Sequence, residues 1–65
     1  MRKNAKTKEV KVIQGSYAGG PWYDEAVYDR EEYSQIRHDL AEYRASTVGQ
    51  PMGYRVITRR VPINA

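Results

Sequence analysis
With 65 residues and no Cys, the chain has room for one thin core and none for disulfide staples or thiolate metal sites; a domain this short buries only about 60% of the surface its unfolded form exposes. Its apolar stretches run two or three residues, against the roughly 20 needed to cross a bilayer, and its basic N-terminus lacks a signal-peptide core, so a soluble, cytoplasmic protein with no membrane partner is expected. The net charge of +3 is what remains of a bipolar pattern: residues 1–11 carry +4, residues 22–44 carry −4, and residues 54–60 carry +3, which favours self-association or steering towards an acidic partner.

Residues 1–7 are polar, basic and without periodicity, and predict a flexible arm. From Lys8 to Gln14, Val10 and Val12 alternate with Glu9 and Lys11, the pattern of a β-strand. The turn-rich stretch from Gly15 to Pro21 predicts a loop. Trp22 to Tyr28 is aromatic and branched enough for a second strand, although Asp24 and Glu25 weaken it. A hairpin joins the two. A helix is expected over 30–46: Asp29 and Glu32 have capping-box spacing, Glu31 and Glu32 suit the first turn, and Tyr33, Ile36, Leu40 and Tyr43 form one apolar stripe. Gly49 and Pro51 end it. Gly53 to Val61 is the last strand, closed by Pro62.

The expected fold is therefore α+β: a single small β-β-α-β domain over residues 8–63, with a three-stranded antiparallel sheet in order 2-1-3 and one helix packed on one face. One helix covers one face only. Period-two alternation assigns Val10, Val12, Tyr54, Val56 and Thr58 to the covered side and Lys11, Ile13, Arg55, Ile57, Arg59 and Val61 to the other. Ile13 and Ile57 then stand out of phase with their neighbours. Two readings are open: a mildly apolar solvent face, or a bulge returning one Ile to the core, on one side; a contact face of branched aliphatics ringed by Arg on the other.

The aromatic composition favours a contact surface, with six Tyr, one Trp and no Phe. Such rings have a polar tip and sit well at core margins and interfaces. The partner-binding set expected on the helix-free face is Ile13, Arg55, Ile57 and Arg59, with Trp22 or Tyr23 as aromatic anchor, and its partner a host protein or a homodimer mate. The alternative is a sequence-tolerant nucleic-acid binder using Arg2, Lys3, Lys6, Lys8, Lys11, Arg55, Arg59 and Arg60, in which Lys11, Arg55 and Arg59 form one patch. The acidic helix and the lack of a helix-turn-helix or RNP-like pattern count against it.

Catalytic and metal chemistry find no defensible pattern. Ser34, His38 and Glu42 share helical spacing but bring no oxyanion site. Gly15, Gly19 and Gly20 match neither phosphate-loop nor dinucleotide spacing. Asp24, Glu25, Asp29, Glu31 and Glu32 lack calcium-loop spacing. A non-enzymatic protein without metal, cofactor or small-molecule substrate is expected.

Glu42-Tyr43-Arg44, the Gly-containing loop after it and the run Tyr54-Arg55-Val56-Ile57-Thr58-Arg59-Arg60-Val61-Pro62 resemble a group of short proteins encoded by phages of actinobacteria, over about a third of the chain. The resemblance implies a strand-helix-strand organisation, a viral origin and action on a host protein or on host nucleic-acid machinery. It carries over no activity and no functional residues.

Overall fold
A computed structural model describes residues 7–63. Strand β1 (Thr7–Tyr17) is followed by β2 (Tyr23–Asp29), helix α1 (Tyr33–Ser46) and β3 (Met52–Pro62). The strands form one antiparallel sheet in the order β2-β1-β3, the topology expected above. Residues 1–6, most of the expected arm, lie outside the described residues, and Thr7 already pairs with Pro62.

β1 runs three residues further than its alternation suggests, taking in Gly15, Ser16 and Tyr17. The turn comes only at Tyr17–Gly20, where Ala18 and Gly19 both have positive φ (53° and 75°) and the Gly20 N–H donates to the Tyr17 carbonyl at 2.8 Å. Two consecutive left-handed residues match the right-handed twist of paired strands. The β1–β2 register slips between Ile13 and Gln14, leaving Glu25 as the extra residue of a bulge on β2.

The helix begins at Tyr33, three residues later than expected, because Asp29 is the last residue of β2 and faces Val10 across the ladder. Asp29 is therefore not the N-cap. Glu32 takes that position without a side-chain cap. It still reaches back to Asp29, accepting that residue's N–H on Oε1 at 2.9 Å, while its own N–H donates to the Asp29 carbonyl at 3.0 Å. The pair thus forms the turn out of the sheet, and the first helical turn holds no acidic residue. Tyr33 falls off the apolar stripe and is exposed, whereas Ile36, Leu40 and Tyr43 face the sheet. After the helix, Gly49 turns the chain at φ +86°.

Beneath the helix the core is Ile13, Tyr28 and Ile36, with Ala26, Leu40, Tyr43 and Tyr54 packed against it. This reverses the face assigned to β1. Ile13 lies in register with Ala26 and Val56, under the helix, while Val10 and Val12 stand on the helix-free side beside Arg59 and Ile57. The faces assigned to β3 are the observed ones. The physical reason is that both parities of the central strand are covered: Ile13 packs with Tyr28 and Ile36 under the helix, while Val10 and Val12, also buried, lie beneath side chains reaching over from the neighbouring strands.

A helix of 14 residues extends about 21 Å, whereas strands of 11 residues extend about 36 Å. The helix consequently covers only part of the sheet, leaving Glu9, Lys11, Thr58 and Arg60 beyond the cluster it buries. The molecule is a slab of 52 × 26 × 14 Å with a radius of gyration of 14.5 Å, against about 11 Å for a compact chain of this length.

Candidate functional site
Val12 and Ile13 are consecutive in the central strand, point to opposite faces, and are both fully buried. The helix accounts for Ile13. Val12 is covered by side chains from the two edge strands. Arg59 on β3 stands opposite Val10, and Asp24 on β2 stands opposite Gln14, so the ion pair between them crosses β1 above Val12. Its fork is two-pronged, with Nη1 donating to Oδ2 at 2.6 Å and Nη2 to Oδ1 at 3.2 Å.

The roof continues along β1. Gln14 donates from Nε2 to Asp24 Oδ1 at 2.9 Å and accepts from Arg55 Nε on Oε1 at 2.9 Å. The Arg55 guanidinium then lies 4.2 Å from the centre of the Trp22 ring, within cation–π range. Trp22 in turn leans over Gly53, where a Cβ would stand 3.7 Å from the indole. One connected row, Arg59–Asp24–Gln14–Arg55–Trp22, thus spans all three strands. Hydrogen bonds from Arg59 and then Gln14 hold the Asp24 carboxyl below its usual range, and the bond to Asp24 raises Arg59.

Arg55 differs from the other cations of the helix-free face and from Arg60. Lys8 pairs with Asp29 at 3.4 Å, Arg60 with Glu9 at 3.6 Å and Arg59 with Asp24. Among the described residues no carboxylate lies within ion-pair distance of Arg55, and its terminal nitrogens make no hydrogen bond. Its planar group is held by Trp22 on one side and Gln14 along its edge, and both Nη groups are unbonded among the described residues. Beside it stand Ile57, half-buried, and the exposed Val27 across the central strand.

The expected partner-binding residues divide accordingly. Trp22, Arg55, Ile57 and Arg59 share the helix-free side. Ile13 does not: it is buried beneath the helix and cannot meet a partner there. Tyr23 is in register with Gly15 and so points to the helix side, 64% exposed and apart from Trp22.

The alternative basic set is also divided. Arg2, Lys3 and Lys6 lie outside the described residues. Lys8, Arg55 and Arg59 are on the helix-free side, but Lys11 and Arg60 are on the other, where Lys11 Nζ donates to Thr58 Oγ1 at 2.6 Å and Arg60 Nη2 to Thr7 Oγ1 at 3.0 Å. Lys11 therefore forms no patch with Arg55 and Arg59. Gln14 and Asp24, the hub of the row, went unrecognised in the sequence. The signal was the continuation of the Val10, Val12 parity to Gln14, which places a buried polar side chain mid-sheet and demands partners for it.

On the other side, a shallow hollow of about 470 Å³ is lined by His38, Asp39, Glu42, Tyr43 and Ser46. Asp39 is engaged there, accepting from Tyr28 Oη at 2.6 Å and from Gln35 Nε2 at 2.9 Å. His38 and Glu42 are 3.9 Å apart and exposed, and Ser34 is not part of the lining. Among the described residues no cluster of three or more His, Asp or Glu is placed to hold a metal, and no helix is long and apolar enough to cross a membrane.

The class that these features define is a small α+β sheet-and-helix domain with a polar, cation-bearing face. No protein-family model, curated protein or solved structure matches the chain.

Proposed function
We propose that this protein is a non-enzymatic binding module whose helix-free face docks on an acidic segment of a partner protein, with Arg55 as the anchoring cation. The observation that carries the reading is the Arg55 guanidinium, fixed over Trp22 and by Gln14 yet without a carboxylate partner among the described residues. A preorganised guanidinium loses little conformational freedom on engaging a carboxylate, and its fork matches one. The resemblance of the C-terminal run to phage proteins makes a host protein the natural partner.

Acidic protein is favoured over nucleic acid because the same face also carries Asp24 and Asp29. Those carboxylates offset Arg59 and Lys8, so the face lacks the continuous positive field that a phosphate backbone needs. Calorimetric titration with a short peptide alternating Glu and Thr is expected to give saturable binding, weakened about 10-fold or more by Arg55→Met, since anchoring Arg residues commonly carry this much. Binding that ignores the substitution contradicts the reading. A stronger response to single-stranded DNA, steeply lost with added salt, would favour the nucleic-acid alternative.

A further inference from the structure
The two edges of the sheet are unlike. β2 offers seven residues interrupted by the Glu25 bulge, with carboxylates at Asp24, Glu25 and Asp29. β3 offers 11 residues in unbroken register with β1, from Thr7 opposite Pro62 to Tyr17 opposite Met52. Bulges, short length, Pro and charged side chains are the usual protections of an edge. β2 is both short and bulged. β3 has no bulge and no Pro between Pro51 and Pro62, and its protection is charge of one sign, Arg55, Arg59 and Arg60 with no acidic residue, which repels a like strand and attracts an acidic one. From Gly53 to Val61, the backbone groups of β3 that face away from β1 make no hydrogen bond among the described residues.

We propose that this outer edge of β3 accepts an extended acidic segment of the partner as a fourth strand. The inference rests on the acidic-partner reading above and specifies its mode. Main-chain bonds to the free N–H and C=O groups supply affinity, and alternate side chains of the added strand supply selectivity. On the helix-free side those side chains fall beside Arg55, Ile57 and Arg59. An acidic residue beside Arg55 completes its unpaired fork, and an apolar one beside Ile57 extends the patch with Val27.

Charge argues against a second copy as the occupant. When two β3 strands pair antiparallel over their full length, Arg55 of each stands opposite Arg59 of the other, and like charges directly opposed destabilise a sheet. β2 of another copy has the right sign, but its bulge breaks the ladder and its length falls short of the edge on offer.

Residue-resolved amide exchange by NMR, with and without saturating Glu/Thr peptide, tests the proposal. Alternate amides of β3, those not bonded to β1, should slow by about 10-fold or more once the peptide is bound, as paired edge groups become protected. Amides on the outer edge of β2 should not change. Peptide that binds in calorimetry while the outward β3 amides keep exchanging fast overturns strand addition and leaves acidic docking intact. A peptide that does not bind overturns both. Protection of the same amides without peptide, growing with protein concentration, overturns the proposal in favour of self-pairing.

Discussion

Single residues decide where this small sheet tolerates change. At Gly15 the Tyr54 ring packs so closely that a Cβ would meet Tyr54 Cε1 at 2.9 Å and Glu25 Oε2 at 3.1 Å. The same ring lies 5.2 Å from that of Tyr43, so Gly15, Tyr54 and Tyr43 form the contact that seats the C-terminal half of the helix. Gly15→Ala should therefore destabilise the domain by about 1–3 kcal/mol, the usual cost of overpacking. Ala18 shows the opposite case. Its φ of 53° is left-handed, which costs an L-residue roughly 1–2 kcal/mol. Ala18→Gly relieves that strain at the expense of a more flexible unfolded chain, for a net gain of about 0.5–1 kcal/mol. Urea titrations check both, as midpoint shifts of opposite sign at an unchanged slope.

Between elements, the helix is tied to β2 by the Tyr28–Asp39 hydrogen bond, whose two groups titrate at opposite ends of the pH scale. Burial, then the bond to Asp39, pushes the Tyr28 hydroxyl above its ordinary 10.0. The bond from Tyr28 holds Asp39 below its ordinary 3.8, as the bond from Arg59 does for Asp24. A lowered carboxyl favours the fold above its unfolded pKa, and the gain is lost as pH falls through the folded value. A raised hydroxyl favours the fold below its unfolded pKa, and the gain is lost as pH climbs through the folded value. Thermal melts should accordingly show a plateau from about pH 4 to pH 10 with a decline on both sides. Tyr28→Phe should flatten the alkaline decline and leave the Asp24 part of the acid decline in place. An alkaline limb that survives this change contradicts the assignment.

The elements themselves were unevenly legible in the sequence. α1 and β3 could be read because their periods are clear: Ile36, Leu40 and Tyr43 at helical spacing, and strand formers alternating with Arg55 and Arg59, with Tyr54 and Val56 on the helix side and Ile57 on the other. β1 could not, because Val10, Val12 and Ile13 put aliphatics on both parities, and coverage by helix and by edge side chains decides which belongs where. That decision moved Ile13 out of the candidate site and brought in Gln14. The start of the helix was obscured for a similar reason, since Asp29 serves equally as a strand end or a cap and the sheet register claimed it.

As a whole, the molecule is a thin slab in which the central strand is closed on both sides, by the helix on one and by the row from Arg59 to Trp22 on the other. The second closure uses side chains that remain partly exposed: Trp22 is 39% accessible, and Arg55 is exposed as well. The structural cover of Val12 is at the same time the proposed contact surface, so stability and recognition share residues. Ile57 lies between the two arginines on that face, and an added carboxylate at its position would compete for Arg55 without entering the core under the helix. Trp22 is the single Trp of the chain, and its emission reports directly on the cation stacked over it. Titrating the Glu/Thr peptide into wild-type protein and into Ile57→Asp while following that emission is the most direct measurement. A saturable change in the wild type that disappears in the variant, with the far-ultraviolet dichroism of both proteins unchanged, is the predicted result. Binding that leaves Trp22 emission untouched, or that proceeds equally in Ile57→Asp, would contradict it.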